Sequence, residues 1–199
     1  MAKTLEFLID LVSPNAYLAW YPVKDLLKRT GAELKITPVF LGGIMKLTGN
    51  RPPMIANAGI KGKNEYFMLE MRRFQAKHAL AKFAMNPHFP FMTIAVQRMM
   101  CAAVRDGRGT EFIELMLPHA WENGANLGDV AVLKKILAAS DFDADAMAAA
   151  AGDAAIKAEL LANTEGAVAR GVFGIPSFFV GDELYFGKDR LDGVEDALG

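Results

Sequence analysis

Cysteine is almost absent from this 199-residue sequence, since Cys101 is the only one. A single cysteine excludes an intrachain disulfide, a Cys-x-x-Cys redox pair and a cysteine-based zinc site. Cys101 lies in the apolar helical stretch IAVQRMMCAAV, which is typical of a buried structural cysteine. The three histidines show no metal-ligand spacing. We therefore expect neither a metal site nor thiol chemistry from the protein's own side chains.

An excess of one charge and long apolar runs are missing as well. The formal net charge is −1 and the 22 basic residues are scattered, which argues against a nucleic-acid partner. No apolar run approaches the ~20 residues that span a bilayer. The N-terminal residues MAKTLEF lack the apolar core of a signal peptide. We therefore predict a cytoplasmic protein with no membrane association.

The N-terminal stretch from Leu5 to Trp20 predicts a buried strand that leads into a helix at Ser13. Residues 5–12 are almost continuously apolar, as expected for a strand covered by helices on both faces of a sheet. Ser13 is a favourable N-cap, and Pro14 suits the first helical turn. By itself this pattern indicates only a helix cap. The free N–H groups of a helix N-terminus also favour an anion such as a thiolate, to which Ser13 can add a hydroxyl donor.

The remaining sequence predicts strands near both ends of the chain and helices between them. A second strand is predicted at residues 33–41, where Pro38 indicates an edge position, and it completes a βαβ unit. Residues 42–165 show only helical periodicity and loops. A β-hairpin is predicted at residues 178–186, followed by a last helix that begins near Lys188.

Two local predictions concern the helical region. Apolar residues recur at helical spacing from Phe67 to Met85, which predicts one long helix. The stretch from Leu41 to Pro53 is rich in glycine and proline, which predicts a structured turn instead of a long helix.

The predicted order of elements is the thioredoxin topology interrupted by helices. The fold class is therefore α/β, a thioredoxin-like domain with a large all-helical insertion between its βαβ half and its ββα half. We assign residues 1–41 and 166–199 to the discontinuous thioredoxin-like domain and residues 42–165 to the insertion. This topology places a cis-proline beside the start of the first helix. Since Ile175-Pro176 precedes the hairpin, we predict a cis bond there.

Five blocks of sequence, in order along nearly the whole chain, carry a family resemblance. They are DLVSP (10–14), LGGIMK with GNRPP (41–46 and 49–53), Lys63 with Tyr66, NPHFP (86–90), and GVFGIP with FGKDRL (171–176 and 186–191). Together they resemble the kappa-class glutathione transferase and 2-hydroxychromene-2-carboxylate isomerase family, of the DsbA-like thioredoxin branch. In that family a serine replaces the nucleophilic cysteine of the redox relatives. The resemblance thus implies that Ser13 is the catalytic residue and holds the sulfur of glutathione as a thiolate.

The resemblance also implies the residues that bind glutathione. The backbone of Ile175 would pair with the cysteinyl part of the tripeptide, while Lys188 and Asp189 would meet its γ-glutamyl end. The full implied set of cofactor-binding residues is Asn50, Ile175, Pro176, Phe186, Gly187, Lys188 and Asp189.

A second set of residues is a candidate for binding a small aromatic substrate. Lys46, Asn57 and Lys63 could hold its pyruvoyl end, because an enolate that develops there needs cationic or hydrogen-bonding partners. Phe89 could stack on its ring. The alternative for the two lysines and the asparagine is a solvated surface position, and the alternative for Phe89 is core packing.

The function implied by the resemblance is a glutathione-dependent cis-trans isomerase. It would interconvert 2-hydroxychromene-2-carboxylate and trans-o-hydroxybenzylidenepyruvate, in aromatic hydrocarbon catabolism, as a homodimer. One alternative is a kappa-type transferase that conjugates glutathione to electrophiles, and another is a non-catalytic module that binds thiols or peptides. The block NPHFP favours the isomerase. The family usually has an aromatic residue at the position of Asn15, so the substrate is less well implied than glutathione.

Overall fold

The computed structural model of the protein describes residues 3–199, so the first two residues of the predicted thioredoxin-like domain lie outside it. All strands of the described chain belong to one four-stranded sheet with the order β2-β1-β3-β4. The elements are β1 (Thr4–Ile9), α1 (Pro14–Thr30), β2 (Glu33–Pro38), α2 (Leu41–Thr48), α3 (Pro53–Ala56), α4 (Lys63–Lys77), α5 (Ile94–Arg105), α6 (Gly109–Trp121), α7 (Val130–Ala138), α8 (Ala144–Gly152), α9 (Ala154–Ala169), β3 (Ser177–Val180), β4 (Glu183–Phe186), a 3-10 turn (Lys188–Arg190) and α10 (Leu191–Leu198).

The sheet has the predicted thioredoxin topology. The central strand β1 runs parallel to β2, with Phe7 opposite Ile36, and antiparallel to β3, with Phe7 opposite Phe178. Strands β3 and β4 form the predicted hairpin. Strand β2 lies at the edge of the sheet and ends at Pro38. Proline has no N–H to donate, and an edge strand has no neighbour on its outer side that would need this hydrogen bond. The predicted fold class is therefore confirmed.

The core forms on both faces of β1 because its side chains alternate between two apolar layers. Residues 5, 7, 8 and 9 are buried. The ring of Phe7 stacks on Phe178 of the neighbouring strand, with the ring centres 5.0 Å apart, and lies 6.0 Å from Trp20 of α1. This packing fixes the carboxyl end of β1, and with it the start of α1.

Helix α5 is tied to the sheet through the buried side chain of Gln97. Its amide nitrogen donates to the carbonyls of Ile9 and Val39, each at 2.8 Å. Its oxygen accepts from the Leu11 N–H at 3.3 Å. One side chain of the helical region thus bonds three backbone groups where β1 and β2 end, and the Ile9 carbonyl also accepts from the Val39 N–H at 3.1 Å.

The prediction of one long helix from Phe67 to Met85 was wrong in its second half. Helix α4 ends at Lys77, and Ala79 adopts a left-handed conformation with φ of 53°. Beyond it, Leu80 is buried, and Phe83 packs 5.8 Å from the ring of Trp121. Tertiary packing of these two side chains therefore prevails over the helical spacing.

The prediction of a turn between Leu41 and Pro53 was also wrong for its first eight residues, which form α2. The carboxylate of Asp10 accepts a hydrogen bond from the Leu41 N–H at 2.7 Å and so stabilises the first turn of this helix. The glycines permit close packing, since a Cβ at Gly43 would lie 3.1 Å from the Thr164 methyl group of α9. Distant partners thus stabilise a helix that the local sequence does not favour.

Helices are the only elements of regular secondary structure in the described chain between β2 and β3, and loops connect them. The predicted division at residues 165 and 166 falls inside α9, which runs without interruption from Ala154 to Ala169. The division into two domains stays a prediction. Within residues 3–199, no helix combines the length and the apolar character that a membrane crossing requires.

Candidate functional site

Ser13 lies at the junction of β1 and α1, where it has two hydrogen bonds. Its Oγ accepts from the Ala16 N–H at 3.3 Å, which makes Ser13 the N-cap of the 17-residue helix α1. The same hydroxyl donates to the carbonyl of Ile175 at 3.0 Å. Ser13 is 4% exposed. The cap predicted from the sequence is confirmed, and the second bond places Ser13 beside the segment that precedes β3.

That segment contains the predicted cis bond between Ile175 and Pro176. The Pro176 carbonyl accepts from the Gly187 N–H at 2.9 Å, which holds the segment against the end of β4. Within the same segment, the hydroxyl of Ser177 donates to the Gly174 carbonyl at 2.8 Å. The start of α1, the cis-proline and the turn after β4 therefore lie together, although they are far apart in sequence.

A cavity of about 370 Å³ opens beside this junction. One wall comes from the cis-proline segment and the turn after β4, and the other from α3 and the first half of α4. Its lining residues are Asn15, Pro53, Asn57, Lys63, Tyr66, Phe67, Glu70, Ile175, Pro176, Phe186, Gly187, Lys188, Asp189 and Arg190. Its volume falls within the range of small-ligand sites, roughly 300–1,000 Å³.

Eight of the twelve residues that the sequence suggested for the site line this cavity. They are Asn57, Lys63, Ile175, Pro176, Phe186, Gly187, Lys188 and Asp189. Ser13 adjoins it through its hydrogen bond to Ile175. Asn50 is linked to the lining through Phe173, since its amide donates to the Phe173 carbonyl at 2.7 Å and the centre of the Phe173 ring lies 4.4 Å from that of Phe186.

Lys46 and Phe89 are the remaining two suggested residues, and neither is among the residues that line the cavity. Lys46 is exposed in the last turn of α2. Phe89 is half-buried, with its ring 5.9 Å from that of Trp121, so it occupies the core position that was its alternative. A substrate contact by either residue stays a prediction.

The cavity wall contains charges of both signs. Lys188 is 5% exposed, although it is a lysine, and its ammonium group donates to the Asp189 carboxylate at 2.7 Å. The same ammonium group lies 4.7 Å from the centre of the Phe74 ring. Lys63, Arg190 and Glu70 add further charged groups to the wall. Such a lining can bind a ligand that has both carboxylate and ammonium groups.

Sequence reasoning missed six residues of the lining. Tyr66, Phe67 and Glu70 share one face of α4 with Lys63, and a helical pattern begun at Lys63 instead of Phe67 would have found them. Of the other three, Pro53 and Arg190 lie within sequence blocks that carry the family resemblance, and Asn15 is a departure from it, but none of them was assigned to the site.

The buried residue Asp10 stabilises the junction of β1 and α1 through hydrogen bonds. It accepts hydrogen bonds from the N–H groups of Val12 at 3.1 Å and of Leu41 at 2.7 Å, and its own carbonyl accepts from the Ser13 N–H. Burial raises the pKa of Asp10 to about 6, although the hydrogen bonds from the two backbone N–H groups act in the opposite direction and lower the pKa. Asp10 thus holds the turn that presents Ser13 and joins it to α2.

The fold and the site together define a class of protein, a thioredoxin-like protein with a serine at the start of its first helix and a cavity beside its cis-proline. The family of the DSBA-like thioredoxin domain matches residues 4–199. A 2-hydroxychromene-2-carboxylate isomerase of Sphingobium xenophagum is 31% identical over 202 residues, which cover 100% of this chain and 99% of the relative. The chain therefore belongs to the DsbA-like thioredoxin family, in its group of 2-hydroxychromene-2-carboxylate isomerases and kappa-class glutathione transferases.

Other known proteins agree with this assignment. Glutathione S-transferase kappa 1 of Rattus norvegicus is 26% identical over 212 residues, or 99% of this chain and 91% of the relative. A solved structure of 2-hydroxychromene-2-carboxylate isomerase superposes with a TM-score of 0.84, covering 98% of this chain and 94% of that chain. At 21% sequence identity, this superposition is evidence for the fold alone. The family resemblance inferred from the sequence is confirmed, and the relatives support an enzyme.

Proposed function

We propose that the protein is a glutathione-dependent isomerase that interconverts 2-hydroxychromene-2-carboxylate and trans-o-hydroxybenzylidenepyruvate. The observation that carries the proposal is the position of the Ser13 hydroxyl, at the N-terminus of α1 and 3.0 Å from the Ile175 carbonyl, beside a cavity with charges of both signs. The relatives named as isomerases and as glutathione transferases support it.

The cavity suits glutathione because the tripeptide is zwitterionic. Lys188 and Asp189 pair with each other in the structure, and on binding the ammonium group of Lys188 can contact a ligand carboxylate while the carboxylate of Asp189 contacts a ligand ammonium group. The backbone of Ile175 lies next to Ser13, where the cysteinyl part would pair with it. Phe186 and Gly187 line the same side of the cavity, and Asn50 stabilises this side through its hydrogen bond to the Phe173 carbonyl. When bound, glutathione supplies a thiolate that adds reversibly to a conjugated double bond and permits rotation before elimination.

The task of Ser13 is to hold that sulfur in its anionic form. The hydroxyl can turn from the Ile175 carbonyl to donate to the sulfur, and the N-terminus of α1 adds a partial positive charge. On the opposite wall, Asn57 and Lys63 are hydrogen-bond donors that can stabilise negative charge on the pyruvoyl oxygen of the substrate. These residues supply binding and electrostatic stabilisation, and no net consumption of glutathione results.

The expected result for the wild-type protein is interconversion of the two substrates only when glutathione is present, with the free glutathione concentration unchanged at the end. The absorbance of the benzylidenepyruvate reports turnover, and a thiol assay on the same sample reports glutathione. Depletion of glutathione would instead identify the kappa-type transferase. A module without turnover would change neither signal but would gain thermal stability from the tripeptide. Turnover that ignores glutathione contradicts the proposed function.

We also propose that the protein is a homodimer and that it works in the cytoplasm, where glutathione is kept reduced. Support for the dimer comes from large apolar side chains that are more than half exposed between residues 47 and 66, namely Leu47, Ile55, Ile60 and Tyr66. Monomeric proteins rarely expose a sizeable apolar patch, and such patches mark interaction surfaces.

For the dimer, we expect sedimentation velocity to give twice the mass of the chain for the wild type and the mass of one chain for Ile55→Lys. The reason is that a lysine at this 62% exposed position would place a charge in the interface. Leu161→Lys is the matched control, since Leu161 is 55% exposed on α9, outside residues 47–66. A wild-type monomer, or dissociation by the control alone, contradicts this assignment of the interface.

A further inference from the structure

Asn15 presents a hydrogen-bond acceptor that the protein itself leaves without a partner. Its Oδ1 is buried and forms no hydrogen bond with any residue from 3 to 199. Four other buried side-chain atoms of the described chain share this property, but Asn15 is the one whose residue also lines the cavity. A buried acceptor without a partner costs free energy, which a donor group on a bound ligand would recover.

The position of Asn15 is fixed by its surroundings. It is the second residue of α1, two residues after Ser13, and it follows Pro14, whose φ is restricted by its ring. Ser13 caps the same turn through the Ala16 N–H. The backbone of Asn15 is therefore held in the first turn of α1, two residues after the hydroxyl to which the reactive sulfur is assigned.

The charges around Asn15 restrict which kind of ligand group can donate a hydrogen bond to its Oδ1. The N-terminal turn of α1 carries a partial positive charge, which disfavours an ammonium group of a ligand at this point. The charged partners of the cavity, such as Lys188 with Asp189, lie on the turn after β4. A neutral donor therefore fits beside Asn15, and a hydroxyl group of the substrate is such a donor.

We propose that Asn15 is a specificity-determining residue that accepts a hydrogen bond from a hydroxyl group of the substrate. It selects unsaturated aryl acids that carry a hydroxyl next to the side chain over those that lack it. This inference rests on the proposed function for its substrate class.

Binding measurements test the inference separately from turnover. Titration calorimetry gives the dissociation constants of 2-hydroxycinnamate and cinnamate, each in the presence of S-methylglutathione, which has no reactive thiol. We expect wild-type protein to bind the hydroxylated acid roughly threefold to tenfold more tightly, as one neutral hydrogen bond allows. Asn15→Leu, which keeps the number and branching of the side-chain heavy atoms but has no acceptor, should bind both acids with nearly equal affinity.

Asn57→Leu is the matched control, because Asn57 lines the same cavity and the substitution is the same. It should retain the ratio of the two affinities, whatever its effect on each. Equal affinities in the wild type, an unchanged ratio in Asn15→Leu, or no binding of 2-hydroxycinnamate overturns the inference. A hydroxyl preference that depends on Asn15 in a protein without glutathione-dependent turnover would uphold the inference and reject the proposed function.

Discussion

Ser13→Ala is expected to lower kcat/KM for the glutathione-dependent interconversion by roughly tenfold to a hundredfold at neutral pH, the value of one hydrogen bond to a charged group. The substitution removes the hydroxyl that donates at the start of α1 but leaves the helix dipole in place. Without the hydroxyl, the pKa of the bound thiol rises, so the lost activity should return in part as the pH increases. A pH–rate profile of both proteins measures the shift, and the ultraviolet absorbance of the thiolate checks it directly.

Ser177→Ala is the control for Ser13→Ala. Both serines are buried, and each hydroxyl donates to a carbonyl of the segment before β3, Ser177 to Gly174 at 2.8 Å and Ser13 to Ile175 at 3.0 Å. Each substitution removes one buried hydrogen bond to a carbonyl, but only Ser13 lies at the start of α1, where its loss also removes the N-cap and should cost about 1 kcal/mol more. Equal pH–rate profiles for wild type and Ser13→Ala would show that the hydroxyl does not hold the sulfur.

Gln97→Ala is expected to lower the free energy of unfolding by about 3–5 kcal/mol, since it leaves buried polar groups without partners and opens a cavity. The wild-type side chain is fully buried and serves the carbonyls of Ile9 and Val39 and the N–H of Leu11. These groups lie where β1 and β2 end, so the loss should also loosen the turn before Ser13. Urea unfolding followed by circular dichroism measures the change.

Two further variants separate the hydrogen bonds of Gln97 from its volume. Gln97→Met fills most of the space but cannot bond, so it should lose most of the same stability. Gln75→Ala makes the same truncation as Gln97→Ala at a half-buried position of α4 and should cost less than about 1 kcal/mol. If Gln97→Met were as stable as wild type, the connection between α5 and the sheet would depend on packing alone.

The parts of the fold that the sequence predicted are those with a local cause. The apolar run of β1 predicts a strand buried on both faces, and Ser13-Pro14 predicts the start of α1, because each signal lies within the element it describes. The topology then follows from the order of elements. The cis bond at Ile175-Pro176 was predicted from that topology and is confirmed.

The parts that sequence reasoning missed depend on contacts between distant residues. Helix α2 begins where the Asp10 carboxylate meets the Leu41 N–H, and α4 ends where Leu80 and Phe83 reach the core. No local pattern reports such contacts. The cavity shows the same limit. Asn15 and Arg190 are sequence neighbours of suggested site residues, but only the tertiary fold shows that the start of α1, the turn after β4 and the face of α4 meet at one cavity.

The one cysteine of the chain determines how the proposed enzyme would respond to oxidants and alkylating reagents. Cys101 is fully buried, and burial raises its pKa to about 12, so almost none of it exists as the thiolate that oxidants and alkylating reagents attack. In the proposed reaction the sulfur at risk belongs to glutathione, which exchanges with the solution. Chemical damage to the reacting atom is therefore repaired by dissociation and rebinding, whereas a relative with a catalytic cysteine must be reduced or synthesised again.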